Sequence, residues 1–144
     1  MKTDIKKEKI RVLIVDDHKI MRDTLNAFLR HIENTSVVGM AENGMEAVEM
    51  IKMEPADVIL MDVSMPFMDG IKATKVIMES NPDIRILALT MHDDLSLLSE
   101  ALEAGAYGYL TKPVKLAQLQ EAITSVTQNK YYLGFRTNLE KTLY

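Results

Sequence analysis

The stretch ILMDVSMPFMDG, residues 59–70, carries the pattern on which the fold turns. With Val58 in front, it begins as four apolar residues, Val58 to Met61, without polar alternation. That is the pattern of a short strand covered by helices on both faces. The run ends abruptly in Asp62, so a charged group stands at the carboxyl end of an otherwise apolar strand. Beyond it, Pro66 and Gly70 supply a constrained turn residue followed by a permissive one.

The same pattern recurs on either side. Further strand candidates are Arg11 to Val15, Ser36 to Ala41, Ile84 to Leu89 and Tyr107 to Leu110. Stretches of helical period separate them. Ile20, Leu25, Phe28, Leu29 and Ile32 approximate a three-and-four spacing and give the first helix an apolar stripe. Gly44 to Met53 reads similarly through Met45, Val48 and Ile51, with Pro55 as its stop. A later helix runs from about Asp94 to Ala104, with Leu95, Leu98, Ala101 and Leu102 inward and Gly105 at its end. The last, from Leu116 to about Gln128, places Leu116, Leu119, Ile123 and Val126 on one side. Five alternating strand–helix pairs predict an α/β domain with one doubly wound parallel sheet, whose ligands bind beyond the carboxyl ends of the strands.

Composition narrows the class. A chain of 144 residues suits one domain, and 47% hydrophobic with 26% charged residues is the balance of a folded globular protein. A formal charge of -4 argues against broad binding of nucleic-acid phosphates, which draws on Lys and Arg. With no cysteine there is neither a disulfide framework nor a thiolate metal site. The 11 methionines are scattered through core-like positions such as Met50, Met61 and Met78, as packing residues are. Residues 1–9 read as a flexible, lysine-bearing leader without the features of a secretory signal, and no apolar run is long enough to span a membrane. The expected location is the cytoplasm.

Four of the five strands deliver polar groups to one edge: Asp16 and Asp17, Asp62, Thr90, and Lys112 with Pro113. Each has a plainer reading alone, Asp17 as a helix cap and Lys112 as a surface lysine. Together they describe chemistry. Carboxylates gathered within a few ångströms repel one another, so they keep a proton or recruit a cation. Mg²⁺ (or Mn²⁺) suits oxygen ligands, and an aspartate beside it suits phosphoryl transfer through an aspartyl-phosphate. Thr90 can donate its hydroxyl to a phosphoryl oxygen, and Lys112 can offset the charge.

The segments VLIVDDH (12–18), ILMDVSMPFMDG (59–70), ALTMHDD (88–94) and GAYGYLTKP (105–113) closely resemble the response-regulator receiver family of two-component systems. The resemblance runs from about Arg11 to Gln128. It implies a flavodoxin-like fold with five strands in the order 2-1-3-4-5 and five helices, phosphorylated by a histidine kinase. Asp62 matches the phospho-acceptor, and Asp16 and Asp17 the acidic pair that holds Mg²⁺, completed by the backbone carbonyl of Val63. Thr90 matches the switch hydroxyl, Lys112 the site lysine, and Tyr109 the switch aromatic whose ring moves inward when Thr90 shifts toward phosphate. Pro113 matches a proline preceded by a cis bond, here from Lys112, while Pro66 and Gly70 shape the loop after Asp62. Ser64 and His92, two residues past Asp62 and Thr90, are expected to tune the phosphate's lifetime. His18 and His31 read as a site-rim and a helix-surface residue.

Wording such as DDHKIMRDTL (16–25) and VVGMAENGMEAV (37–48) resembles the subgroup whose receivers precede a helix-turn-helix (LuxR/NarL-type) DNA-binding domain. The receiver is expected over residues 10–129, with 130–144 an extension or the start of a linker to an output domain. The function implied is a phosphorylation-dependent switch, not an enzyme acting on other substrates. Its fourth helix, fifth strand and fifth helix would change surface, with a homodimer on phosphorylation, DNA bound only through another domain, and no membrane partner. Two rival readings fit the residues less well. A haloacid-dehalogenase-type phosphatase wants a second acid two residues after its nucleophile on the first strand, where Asp16 and Asp17 are adjacent. An inert receiver-like module would not need all the acidic, hydroxyl and lysine positions.

Overall fold

A computed structural model of the chain describes residues 8–91 and 95–134. Its elements are β1 (Ile10–Val15), α1 (Lys19–Arg30), β2 (Thr35–Ala41), α2 (Gly44–Met53), β3 (Val58–Asp62), α3 (Gly70–Ser80), β4 (Arg85–Thr90), α4 (Leu95–Ala104), β5 (Gly108–Thr111), α5 (Leu116–Thr127) and β6 (Tyr132–Gly134). All strand pairs are parallel, in the order β2-β1-β3-β4-β5-β6. The five expected strands lie in the expected order, each within about one residue of its sequence boundary. The third helix, which no apolar stripe delimited in the sequence, starts at Gly70 behind an Asp69 cap that accepts from Lys72 N–H at 2.8 Å.

The sheet alternates its side chains between two cores. Val12, Ile14 and Leu60 pack with Leu25 and Leu29 of α1 and Leu119, Ile123 and Val126 of α5. On the opposite face Leu13, Val15, Ile59 and Met61 pack with Ala47 and Ile51 of α2 and Ala73 and Ile77 of α3. Continuous apolar strands follow from this arrangement, because both faces are covered. A smaller cluster under α4 is built from Val63, Ala88, Ala101, Ala106 and Tyr109.

Three residues placed on inward stripes by their spacing are exposed instead: Ile20 at 82%, Met45 at 55% and Leu95 at 49%. Each belongs to the first turn of its helix. A helix that follows a strand begins at the sheet's edge, so its first turn has no strand beneath it. Met50 and Met78 pack partly buried against the second core, while Met61 lies fully inside it.

The sheet also has one strand more than the five expected. Asn129 turns with φ 62°, and Lys130 N–H returns to the Ser125 carbonyl at 2.9 Å, closing α5 and sending the chain back along the β5 edge. Tyr132 N–H then donates to the Tyr107 carbonyl at 3.0 Å, and β6 pairs with Gly108 to Leu110. Long-range side-chain contacts hold it. Tyr131 stacks on Tyr107 at 4.6 Å, Arg85 lies 4.1 Å over the Tyr107 ring, and Arg85 Nη2 donates to Asn129 Oδ1 at 2.7 Å. Gln118 Nε2 donates to the Gly134 carbonyl. Among the described residues no helix is long and apolar enough to cross a membrane.

Candidate functional site

The strand order reverses at β1, whose neighbours β2 and β3 lie on its two sides, and the carboxyl ends of β1 and β3 flank that switch point. Asp16 follows β1 directly, and its N–H donates to the Ala41 carbonyl at 3.1 Å, so β2 fixes its backbone. Asp62 is the last residue of β3 and Thr90 the last of β4. Lys112 follows β5 and donates its N–H to the Thr90 carbonyl at 2.7 Å. Asp16, Asp62 and Thr90 are buried, at 0%, 4% and 1% exposed. The Lys112 ammonium reaches across the edge to Asp16 Oδ2 at 2.8 Å and Asp62 Oδ1 at 3.1 Å. One cation thus ties together the ends of three strands.

Burial of two carboxylates around one lysine sets the electrostatics. The Asp62 carboxyl is pushed up to about 6, chiefly because burial disfavours its charged form; Asp16 and Asp17 add to the rise, and Lys112 only partly offsets it. Burial pulls Lys112 downward, but its bonds and charge attraction to Asp16 and Asp62 outweigh that, and its pKa rises. An excess of buried negative charge remains, and it calls for a proton or a second cation.

The donor set suits a cation. Asp16, Asp17, His18 and Asp62 each offer one ligand atom, all within 4.8 Å of one another. Asp17 Oδ1 is a buried oxygen that accepts no hydrogen bond, although His18 Nδ1 lies 3.1 Å away. A buried carboxylate oxygen without a donor is what a cation would satisfy. The carboxylates and carbonyls here are oxygen ligands of the kind Mg²⁺ takes.

The remaining site residues fall around this cluster. Val63 is buried, and its carbonyl accepts from Gly70 N–H at 2.8 Å, leaving one lone pair. Ser64 and Pro66 are exposed in the loop between β3 and α3. Gly70 is required for space: a Cβ there would stand 2.0 Å from the Asp62 carbonyl oxygen. This corrects the conformational reason read from sequence, since the left-handed residue of the loop is Phe67, with φ 68°. The Lys112–Pro113 bond is cis. Tyr109 lies fully buried beside Ala88, Ala101 and Ala106. His92 lies outside the described residues. His31 ends α1 as an exposed residue.

Two participants were not legible as such. Arg22 Nη1 donates to the Asp16 carbonyl at 2.8 Å, a contact with no motif signal. His18, read only as a rim residue, turns its ring toward both acids of the pair, with Nδ1 3.3 Å from Asp16 Oδ1 and 3.1 Å from Asp17 Oδ1. The sequence did hold a clue. Position 18 caps α1, where Ser, Thr, Asn or Asp is usual, and the histidine there makes no side-chain cap bond.

Comparison with known proteins agrees with this geometry. Residues 12–124 match the family model described as the response regulator receiver domain. The transcriptional regulatory protein DegU of Brevibacillus brevis is 36% identical over 92% of this chain and 56% of its own length. A LuxR-family two-component response regulator from Aurantimonas sp. SI85-9A1 superposes with a TM-score of 0.82 at 32% identity, covering 87% of this chain and 89% of that one. The isolated receiver domain of RcsB from Salmonella enterica serovar Typhimurium, solved in the presence of the phosphomimetic BeF₃⁻, gives a TM-score of 0.80 at 29% identity, covering 88% and 94%. The chain spans little more than half the length of curated relatives such as DegU. Motifs, sheet order and the acid–lysine cluster at the switch point converge, and the chain belongs to the response regulator receiver domain family.

Proposed function

We propose that this domain is a phosphorylation-controlled switch that takes a phosphoryl group from a histidine kinase onto Asp62. One observation carries the reading: the largely buried Lys112 side chain bridges Asp16 and Asp62 at the sheet edge, beside an Asp17 oxygen that lacks a hydrogen-bond donor. Asp62 attacks the phosphorus of a phosphohistidine; a P–O bond forms as the P–N bond breaks, and the imidazole leaves. Lys112, freed from part of its work on Asp62, pairs with a phosphoryl oxygen, and the Thr90 hydroxyl donates to another. Asp16, Asp17 and Asp62 would hold Mg²⁺ with the second lone pair of the Val63 carbonyl, and the bound ion supplies neutralisation of the transferred group's charge. Ser64, exposed beside Asp62, and His92 tune the return reaction with water.

The output is a changed surface over α4, β5 and α5, centred on Tyr109. In the subgroup to which DegU and the LuxR-family regulator belong, that change would govern transcription through a separate DNA-binding domain, accompanied by pairing of receivers. The test is mass spectrometry after incubation with Mg²⁺ and acetyl phosphate. One added phosphate in the natural chain and none in Asp62→Ala is the expected result. An adduct that survives in Asp62→Ala, or none in either chain under several phosphodonors, sinks the assignment.

A further inference from the structure

We infer that His18 is itself a ligand of the divalent-cation site, through Nδ1, and that it shifts the site's preference from Mg²⁺ toward ions that accept nitrogen. The inference rests on the reading that Asp16, Asp17 and Asp62 hold a cation. Its geometry is independent of Lys112. Asp16 divides its oxygens: Oδ2 meets the Lys112 ammonium, while Oδ1 faces His18, receiving the backbone N–H at 2.9 Å and lying 3.3 Å from Nδ1. Nδ1 also lies 3.1 Å from Asp17 Oδ1, the buried oxygen without a hydrogen bond.

Those separations have a meaning in coordination chemistry. Two donors at right angles on one ion, each at about 2.1 Å, stand about 3.0 Å apart. The edges from Nδ1 to the two carboxylate oxygens, 3.3 and 3.1 Å, are close to that length. His18 Nδ1 therefore stands from each of these two oxygens at about the separation of adjacent ligands on one ion. The imidazole is also exposed on its outer side, 72% by side-chain area, so it can rotate about the site without disturbing the core.

The residue's place in the chain points the same way. His18 occupies the cap of α1, yet its side chain makes no cap bond and turns back toward the acids. A serine or aspartate there would serve the helix better. A neutral imidazole is a frequent ligand for Mn²⁺, Co²⁺ and Zn²⁺, whereas Mg²⁺ favours oxygen and keeps its waters. A site with three carboxylates and one imidazole therefore favours Co²⁺ over Mg²⁺ more strongly than three carboxylates alone.

The experiment compares Co²⁺ and Mg²⁺ binding by calorimetry on the full chain, together with the visible absorption of bound Co²⁺. The natural protein, His18→Ala, His18→Asn and Asp17→Asn are titrated in parallel. His18→Asn guards against a folding artefact, since asparagine is a good cap and cannot replace the imidazole. The expected result is a loss of about tenfold or more in Co²⁺ affinity in both His18 variants, with an altered Co²⁺ spectrum. Mg²⁺ affinity should change by less than about threefold, because Mg²⁺ seeks oxygen. An unchanged Co²⁺-to-Mg²⁺ ratio and spectrum overturns the inference. So does tighter binding of both ions in His18→Ala, which would make the imidazole a displaced counter-charge. If the natural chain binds neither ion, the cation-site reading itself fails and this inference falls with it; binding of both that is lost in Asp17→Asn but indifferent to His18 spares the site and removes only the histidine.

Discussion

At the scale of single residues, Asp62 is held at a cost. Its folded pKa, about 6, lies above the ordinary value of 3.8, so the group's contribution to stability is full below about 3.8 and is lost as pH rises through 6. In chelator-containing buffer at pH 7.5, Asp62→Asn should therefore be more stable than the natural chain, by on the order of 2 kcal/mol. The difference should shrink toward zero as the pH is lowered below 4. Thermal melts across that range check it; a variant that melts lower at pH 7.5 would show that Lys112 outweighs burial. The residue types of this cluster were legible from strand ends alone, because short apolar strands terminate visibly in charge. Their mutual distances were not, nor was the turn of His18 toward Asp16 and Asp17, since the side-chain direction of a cap residue depends on what lies across the sheet edge.

At the scale of elements, Gly70 joins α3 to β3 so closely that no side chain fits. Gly70→Ala would place a methyl group against the Asp62 carbonyl oxygen, 2.0 Å away. Backbone must move, so the substitution should cost about 1–3 kcal/mol and lower phosphoryl acceptance even where the protein remains folded. Chemical denaturation and acetyl-phosphate labelling measure the two effects; a neutral outcome in both would mean that the junction relaxes freely. The sixth strand makes a second element-scale prediction. Arg85 holds β6 from outside through Tyr107 and Asn129. Arg85→Ala should accelerate amide exchange at Tyr132 to Gly134 while leaving β1 and β3 protected, because loosely held edges open without global unfolding. The helices and the five inner strands could be read from periodicity. Three residues are too few to carry a period, and β6 exists only because the turn after α5 returns them to an open edge.

At the scale of the whole molecule, the proposed cation site draws its ligands from separate strands. Its acids come from the ends of β1 and β3, which meet only in the folded state, so a bound divalent ion should raise the melting temperature by mass action. At 100 times its dissociation constant, Mg²⁺ should add about 2.7 kcal/mol. Asp17→Asn should blunt the rise and keep the fold; an undiminished rise takes Asp17 out of the ligand set. By itself the sequence determined the α/β class, the order of elements and the edge at which chemistry gathers, because a buried parallel strand writes its burial and its end into four or five consecutive residues. Only tertiary structure decided that Lys112 spans Asp16 and Asp62, that Tyr109 is fully buried, that Ile20 and Met45 face solvent, and that a sixth strand completes the edge. Those facts depend on distances between residues far apart in the chain, and local patterns of hydrophobicity hold no measure of such distances.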